Sequence, residues 1–395
     1  MNILFYTEYE LSPTKGGTER ITSTIAMKLH SAYGMQCYSI YTIPLPDEFE
    51  KIPFMVTKQI PLGQDFENIL YDFVKTNNID IIVNQGAFNL SKKMRHVLDR
   101  FNGKYLISVL HFNPGVIEHH PTLHSLVWNM KQGNSTFKNC VKLVLLPFVK
   151  SYRKRKGKEA YHEGYICSDR VVLLSDNFRK EFKLYANLKN TDKIVSIHNA
   201  LSFNTFFDMS KYNIKKKELL IVSRLDETQK RISLALRIWS IIEQQSRFND
   251  WNLTIVGHGE EYETEYKNFV RKNNLQRVSF EGRQNPEPYY YRASIFLMTS
   301  LYEGWGLTLT EAQQYGVVPI AFNSYASLTD IITDGENGFI IPNNDLQTYI
   351  DKLADLMQNE NKRKYMAVKA IESSKRFCMD KICADWIALF KSLNN

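Results

Sequence analysis

The chain has 395 residues with a formal charge of +8 and a pI near 9.0, and 44% of its residues are hydrophobic against 23% charged. That balance is a soluble globular one, the length asks for more than one core, and no apolar run reaches the roughly 18 residues of a membrane span, so disordered and membrane-spanning classes are excluded. The positive charge favours an anionic partner (nucleotide, phospholipid surface or nucleic acid) without choosing among them.

Met1-Asn2-Ile3-Leu4-Phe5-Tyr6 reads as a strand rather than a signal peptide, because it lacks a basic start and soon meets Glu8 and Glu10; the expected location is the cytoplasm. The strand, residues 2–7, runs into Thr14-Lys15-Gly16-Gly17-Thr18-Glu19-Arg20 and then an amphipathic stretch with Ile21, Ile25, Met27 and Leu29. Gly16 and Gly17 have two readings, an anion cradle before a helix or a plain tight turn. Strands are expected at 37–41, 79–83, 104–110, 171–175 and 194–197, with helices at 69–75, 92–101 and from about Asp176. This alternation predicts a parallel sheet covered on both faces. Five scattered cysteines (Cys37, Cys140, Cys167, Cys378, Cys383) form no C-x-x-C pair and suggest neither a disulfide framework nor a metal site.

A second domain opens at Glu218-Leu219-Leu220-Ile221-Val222, whose end carries Arg224, followed by Lys230 and Arg231 before a helix through Leu236 and Trp239. Trp251 to Gly259 is a strand with a glycine turn at Gly257, and Val278 to Arg283 repeats the pattern. Strands that empty into glycine-rich or basic loops predict a second doubly wound sheet with a ligand edge of its own. The expected division is 1–200, 201–375, and a terminal segment 376–395; a single helix is expected from about Ile371 to Leu393.

The densest stretch is Ser300-Leu301-Tyr302-Glu303-Gly304-Trp305-Gly306-Leu307-Thr308-Leu309-Thr310-Glu311-Ala312. A strand end, glycine turn and helix start there favour an anion at the first-turn N–H groups, including those near Gly306, Leu307 and Thr308. Glu303 and Glu311 are expected to face one cleft at the carboxyl end of the sheet; a bland reading makes one a solvated loop residue and the other a helix charge.

This E-x7-E run, followed by Tyr315-Gly316-Val317-Val318-Pro319, resembles the signature of retaining glycosyltransferases of family 4, although Trp305 stands where that family more often has Phe. Asp334-Gly335-Glu336-Asn337-Gly338-Phe339 resembles its late D-G-x-N-G-F run. The resemblance implies a GT-B fold: two doubly wound Rossmann-like domains facing a central cleft, an acceptor-binding first domain, a nucleotide-sugar-binding second, and a C-terminal helix crossing back. It implies catalytic roles for Glu303, His111, Arg224 and Lys230, and donor binding by Gly16, Gly17, Arg224, Lys230, Gly257, Arg283, Glu303, Gly306, Leu307, Thr308 and Glu311.

The implied reaction moves a hexose or N-acetylhexosamine from a UDP-sugar to a saccharide acceptor. The cations stand where a metal otherwise would, and the chain contains no D-x-D pair, so no metal or other cofactor is expected. His198-Asn199-Ala200 departs from the family's Pro-Asn-Gly, which leaves the role of His198 open. Between Glu118 and Glu159 there is no acidic residue, while Lys131, Lys138, Lys142, Lys150, Arg153, Lys154, Arg155, Lys156 and Lys158 surround the apolar run 141–149. That segment is either an anionic-membrane surface, suiting an acceptor on a polyprenyl lipid, or an ordinary helix with a solvated basic end. Two further readings are a nucleotide-sugar 2-epimerase of related fold and a non-enzymatic basic protein. Nucleic acid is not expected as a partner, since the paired carboxylates would repel its phosphates.

Overall fold

The computed structural model describes residues 1–46, 48–63, 65–86, 88–116, 141 and 144–393. Two compact units divide the chain: Met1–Ser202 together with Met379–Asn395, and Phe203–Cys378.

The first unit is built on strands β1 (Asn2–Tyr9), β2 (Gln36–Ile43), β3 (Val56–Gln59), β4 (Ile81–Asn84), β5 (Tyr105–Leu110), β6 (Arg170–Leu173) and β7 (Ile194–Ser196). They pair in parallel in the order β3-β2-β1-β4-β5-β6-β7. Ile3 to Tyr6 and the whole of β4 are buried, as expected where helices cover both faces of a parallel sheet. One face packs Leu4, Ile40, Ile82 and Leu106 against Leu70, Val74, Met94 and Val97 of the helices Phe66–Thr76 and Ser91–Leu98. Strand order reverses at β1, so the crevice beside its carboxyl end is the open one, and Gly16-Gly17 lies there. The helix Thr18–Tyr33 starts at Gly17 and stops at the left-handed Gly34, where Gly34 and Met35 N–H groups donate to His30 and Leu29 carbonyls.

The second unit holds β8 (Glu218–Val222), β9 (Asn252–Val256), β10 (Val278–Gly282), β11 (Ile295–Met298), β12 (Val318–Asn323) and β13 (Phe339–Pro342). Their order is β10-β9-β8-β11-β12-β13, again parallel, with the reversal between β8 and β11. Leu236, Trp239 and Ile242 of the helix Ile232–Glu243 are buried, as are Leu220, Leu253, Ile255 and Leu297 of the sheet.

The single terminal helix expected over 371–393 is corrected. A helix Glu360–Ser374 passes into a 3-10 turn at Lys375–Phe377, Cys378 is extended, and a separate helix runs Met379–Lys391. The break falls where the chain leaves the second unit for the first, so the helices on either side of it bury their apolar residues in different units. Met379–Lys391 packs beside Thr18–Tyr33, with Lys28 Nζ 2.6 Å from Asp380 Oδ1. Two parallel sheets, each with its own reversal of strand order, are therefore the observed architecture.

Candidate active site

At the reversal between β8 and β11 the loops after both strands meet. The 223–231 loop is shaped locally: Asp226 Oδ1 accepts from Thr228 N at 2.9 Å, and Glu227 Oε2 accepts Ser233 N and the Tyr266 hydroxyl, both at 3.0 Å. Arg231 closes the loop with φ +50°, a left-handed conformation that costs a non-glycine residue about 1 kcal/mol or more. Its guanidinium offsets that cost by bonding Thr299 O at 2.7 Å, Ser300 O at 3.0 Å, Asn344 Oδ1 at 2.7 Å and Asn343 Oδ1 at 3.0 Å. The Thr299 hydroxyl returns a bond to Lys230 O at 2.9 Å, and Leu301 N donates to Gln229 O at 2.7 Å.

This lacing brings four side chains into one row. Lys230 Nζ lies 2.5 Å from Glu303 Oε1, Gln229 Nε2 donates to Glu303 Oε2 at 3.4 Å and to Tyr302 O at 3.2 Å, and Arg224 Nη2 donates to Gln229 Oε1 at 3.0 Å. Glu303 is 8% exposed, so its charge is held by the ammonium and amide more than by water. Burial first, then the Asp226 and Glu303 carboxylates, push the neighbouring Tyr302 phenol up to about 12, which keeps it a neutral hydroxyl.

The glycines hold the backbones together. A Cβ on Gly257 would stand 1.7 Å from Ser223 O, and one on Gly259 2.3 Å from Leu225 O, so the turn after β9 rests on the backbone of the loop after β8. Gly306, with φ +98°, starts the helix Leu307–Gln314, whose first N–H groups have no upstream carbonyl within the helix. Trp305 is buried with its ring edge-on to Phe377 at 5.0 Å, which gives the larger ring its place.

Glu311 has different surroundings. It is 1% exposed and accepts the Tyr290 hydroxyl at 3.0 Å inside the unit. Gly257 and the exposed Arg283 follow β9 and β10 on the same carboxyl edge, while Leu307 and Thr308 are half-buried at the helix start. A cavity of about 420 Å³ lies at the opposite, amino edge, where Arg292 pairs with Glu218 at 2.8 Å.

In the first unit, His111 follows β5 and its Nε2 bonds Gln85 Oε1. Burial lowers its pKa to about 4, so the ring is neutral near pH 7. Gly16 and Gly17 stand exposed after β1, with nothing within 4 Å of where either would carry a Cβ. His198 Nδ1 bonds Leu174 O at 2.8 Å and His162 Nδ1 bonds Ala186 O at 2.9 Å; both tie backbone together. His119, His120, Lys131, Lys138, Cys140 and Lys142 lie outside the described residues.

Sequence reasoning missed Gln229, Arg231 as a loop tie, and Tyr290. Gln229 had a usable signal, since it sits beside Lys230; an arginine in a left-handed conformation leaves none.

The profile of the family described as "Glycosyl transferases group 1" matches residues 204–373. An "Uncharacterized glycosyltransferase" of Haemophilus influenzae is 25% identical over 378 residues, covering 94% of this chain and 95% of its own. The "Amylovoran biosynthesis glycosyltransferase AmsD" of Erwinia amylovora is 28% identical over 227 residues, 56% of this chain and 62% of its own. Among solved structures, Anabaena Alr3699/HepE in complex with UDP superposes with a TM-score of 0.71 at 15% identity, covering 99% of this chain and all of that one. The chain is thus a glycosyltransferase of GT-B fold whose residues 204–373 match the model of the glycosyl transferases group 1 family.

Proposed function

We propose that the enzyme is a retaining, metal-independent transferase that moves a hexose or N-acetylhexosamine from a UDP-sugar to a saccharide acceptor, lipid-linked, in surface polysaccharide assembly at the cytoplasmic face of a membrane. The observation that carries the donor half is the row Arg224, Gln229, Lys230 and Glu303 at the strand reversal of the second sheet. Two similar proteins, one solved in complex with UDP and one named for amylovoran biosynthesis, support it.

In this reading the second unit binds the nucleotide sugar and the first selects the acceptor. Arg224 and Lys230 take the diphosphate, assisted by the first-turn N–H groups after Gly306, and stabilise charge as the bond from sugar C1 to phosphate oxygen breaks. The acceptor oxygen bonds C1 on the same face and its proton passes to the departing phosphate. Glu303 faces the sugar and holds the Lys230 ammonium in place. His111, neutral at working pH and with its Nε2–H on Gln85 Oε1, has Nδ1 left to accept from a saccharide hydroxyl. A ribose diol reaching Glu311 has to share that carboxylate with the Tyr290 hydroxyl. Gly257 and Arg283 border the nucleotide.

UDP titration by calorimetry tests the assignment. Arg224→Ala and Lys230→Ala are each expected to weaken UDP binding by about 2–4 kcal/mol, the range for removing one partner of a desolvated charge pair. Unchanged titrations for both would overturn it, and EDTA should leave transfer intact. Release of a free sugar isomer in place of a glycosylated acceptor would make the enzyme an epimerase.

A further inference from the structure

The row at the second sheet's strand reversal holds three charged side chains and one amide, Gln229, whose bonds keep the charges apart. Its Oε1 accepts from Arg224 Nη2 at 3.0 Å, and its Nε2 donates to Tyr302 O at 3.2 Å and to Glu303 Oε2 at 3.4 Å. The two ends of the amide cannot be exchanged. A backbone carbonyl only accepts, so the atom facing Tyr302 O is the amino group; a guanidinium only donates, so the atom facing Arg224 is the carbonyl oxygen. At 8% exposure the amide meets these partners in place of water.

The backbone of Gln229 is held as well: its carbonyl accepts from Leu301 N at 2.7 Å, and its N–H donates to Asp226 Oδ1 at 3.4 Å. It is thus a fixed spacer between an exposed arginine and a buried carboxylate. Without a spacer the two charges are natural partners, because forked arginine–carboxylate pairs are among the strong ones. An arginine so paired would turn inward with its charge already answered. Among side chains of this length only the amide has an acceptor for the cation at one end and a donor for the anion at the other. An ionised carboxylate only accepts, an ammonium only donates, and a thioether does little of either.

We infer that Gln229 is a positioning residue of the donor site: by holding Arg224 at its carbonyl end and Glu303 at its amino end, it keeps the two from pairing, turns Arg224 toward the diphosphate and leaves Glu303 to the sugar. One N–H of the guanidinium goes to Gln229, and the group carries several more for phosphate oxygens. This role rests on the assignment of Arg224 to the diphosphate and Glu303 to the sugar, and adds the group that separates them.

A double-mutant cycle in UDP binding, read by calorimetry on the full chain, tests it. Gln229→Met, close in length and unable to bond either charge, should weaken UDP binding by about tenfold, the size of one lost hydrogen bond to a charged group. In the Arg224→Ala background the same change should alter UDP binding by less than about twofold, because the group it acts through is gone. A residue that only ties two loops together would weaken binding equally in both backgrounds. With UDP-glucose or UDP-N-acetylglucosamine saturating, the rate of UDP release by Gln229→Met should also fall by about tenfold, since Glu303 Oε2 loses its donor. The urea midpoint reports whether the variant has folded; if Gln229→Met has not, Gln229→Ala, which leaves room for water, carries the same cycle. Equal loss in both backgrounds, no loss in the parent, or an unchanged rate at saturation overturns the positioning role. UDP binding by Arg224→Ala as tight as the parent's would overturn the diphosphate assignment itself, so the two readings fail separately.

Discussion

The two sheets offer the same kind of carboxyl edge, a parallel sheet whose strand order reverses beside a glycine-bearing loop, yet the edges are built in opposite ways. In the second unit the loops after β8, β9 and β11 lean on one another through backbone atoms, and the polar row Arg224, Gln229, Lys230 and Glu303 is fixed by hydrogen bonds at each step. In the first unit the loop at Gly16-Gly17 meets no neighbouring atoms where side chains would stand. A site that must hold charge against water cannot let its dipoles relax, whereas an open edge can leave its shape to the side chains around it. Substitutions at the two edges should therefore differ in kind.

The largest effect is expected at Gly257. Alanine there would place a methyl 1.7 Å from Ser223 O, and the obstacle is backbone, which has no rotamer to yield. Gly257→Ala should cost more than about 4 kcal/mol, or prevent folding of the second unit. A denaturant midpoint close to the parent's would show that the two loops are not stacked.

Next comes the Glu303–Lys230 pair, whose side chains are mostly buried. Glu303→Ala strands an ammonium, and a destabilisation of about 3 kcal/mol in urea unfolding is expected. In the proposed reading, where Glu303 faces the donor sugar, turnover should fall more than UDP affinity. Equal turnover would remove Glu303 from the chemistry. Lys230→Met with Glu303→Leu together should restore much of the stability and none of the transfer, separating packing from catalysis.

How much of this was legible in the sequence follows the same division. Alternating apolar runs and glycine loops predicted both parallel sheets, while Glu303 and Lys230 stood out through their resemblance to a family motif, since a charged loop taken alone reads equally well as a solvated one. What could not be read is how partners are shared. Gln229 carries no charge, and the Tyr290 hydroxyl reaches Glu311 across 21 residues of chain. The left-handed Arg231 is stabilised by contacts more than sixty residues away, so local propensity points the other way. The break at Cys378 was hidden because apolar residues on both sides keep helical spacing while facing different cores.

His111 is the half-buried member of the open edge and should show it in acid. Burial sets its folded pKa at about 4, below the ordinary 6.5, so between these values the unfolded chain takes up a proton that the folded chain refuses. Its contribution to stability is complete above pH 6.5 and is lost as the pH falls toward 4, at most about 3 kcal/mol. His111→Gln should flatten that part of the stability curve, measured by urea unfolding from pH 7 to 4.5. Parallel curves for parent and variant would mean that the ring titrates normally.

The smallest effect is expected at Gly16, where it also settles a choice between two readings of the loop. Gly16 does not have the positive φ of Gly17, and nothing lies within 4 Å of its would-be Cβ, so Gly16→Ala meets neither strain nor clash. It should move stability by less than about 1 kcal/mol, in the favourable direction if the unfolded chain loses freedom. A loop that serves only as a turn would then leave UDP-sugar affinity and turnover as they were. A loop that cradles the donor's phosphate needs the ligand nearly against the backbone, and a methyl group would hold it away. Weaker binding with unchanged stability would therefore assign Gly16 to the donor, and the comparison should be made beside Gly17→Ala, whose φ of +72° adds strain and confounds the two causes.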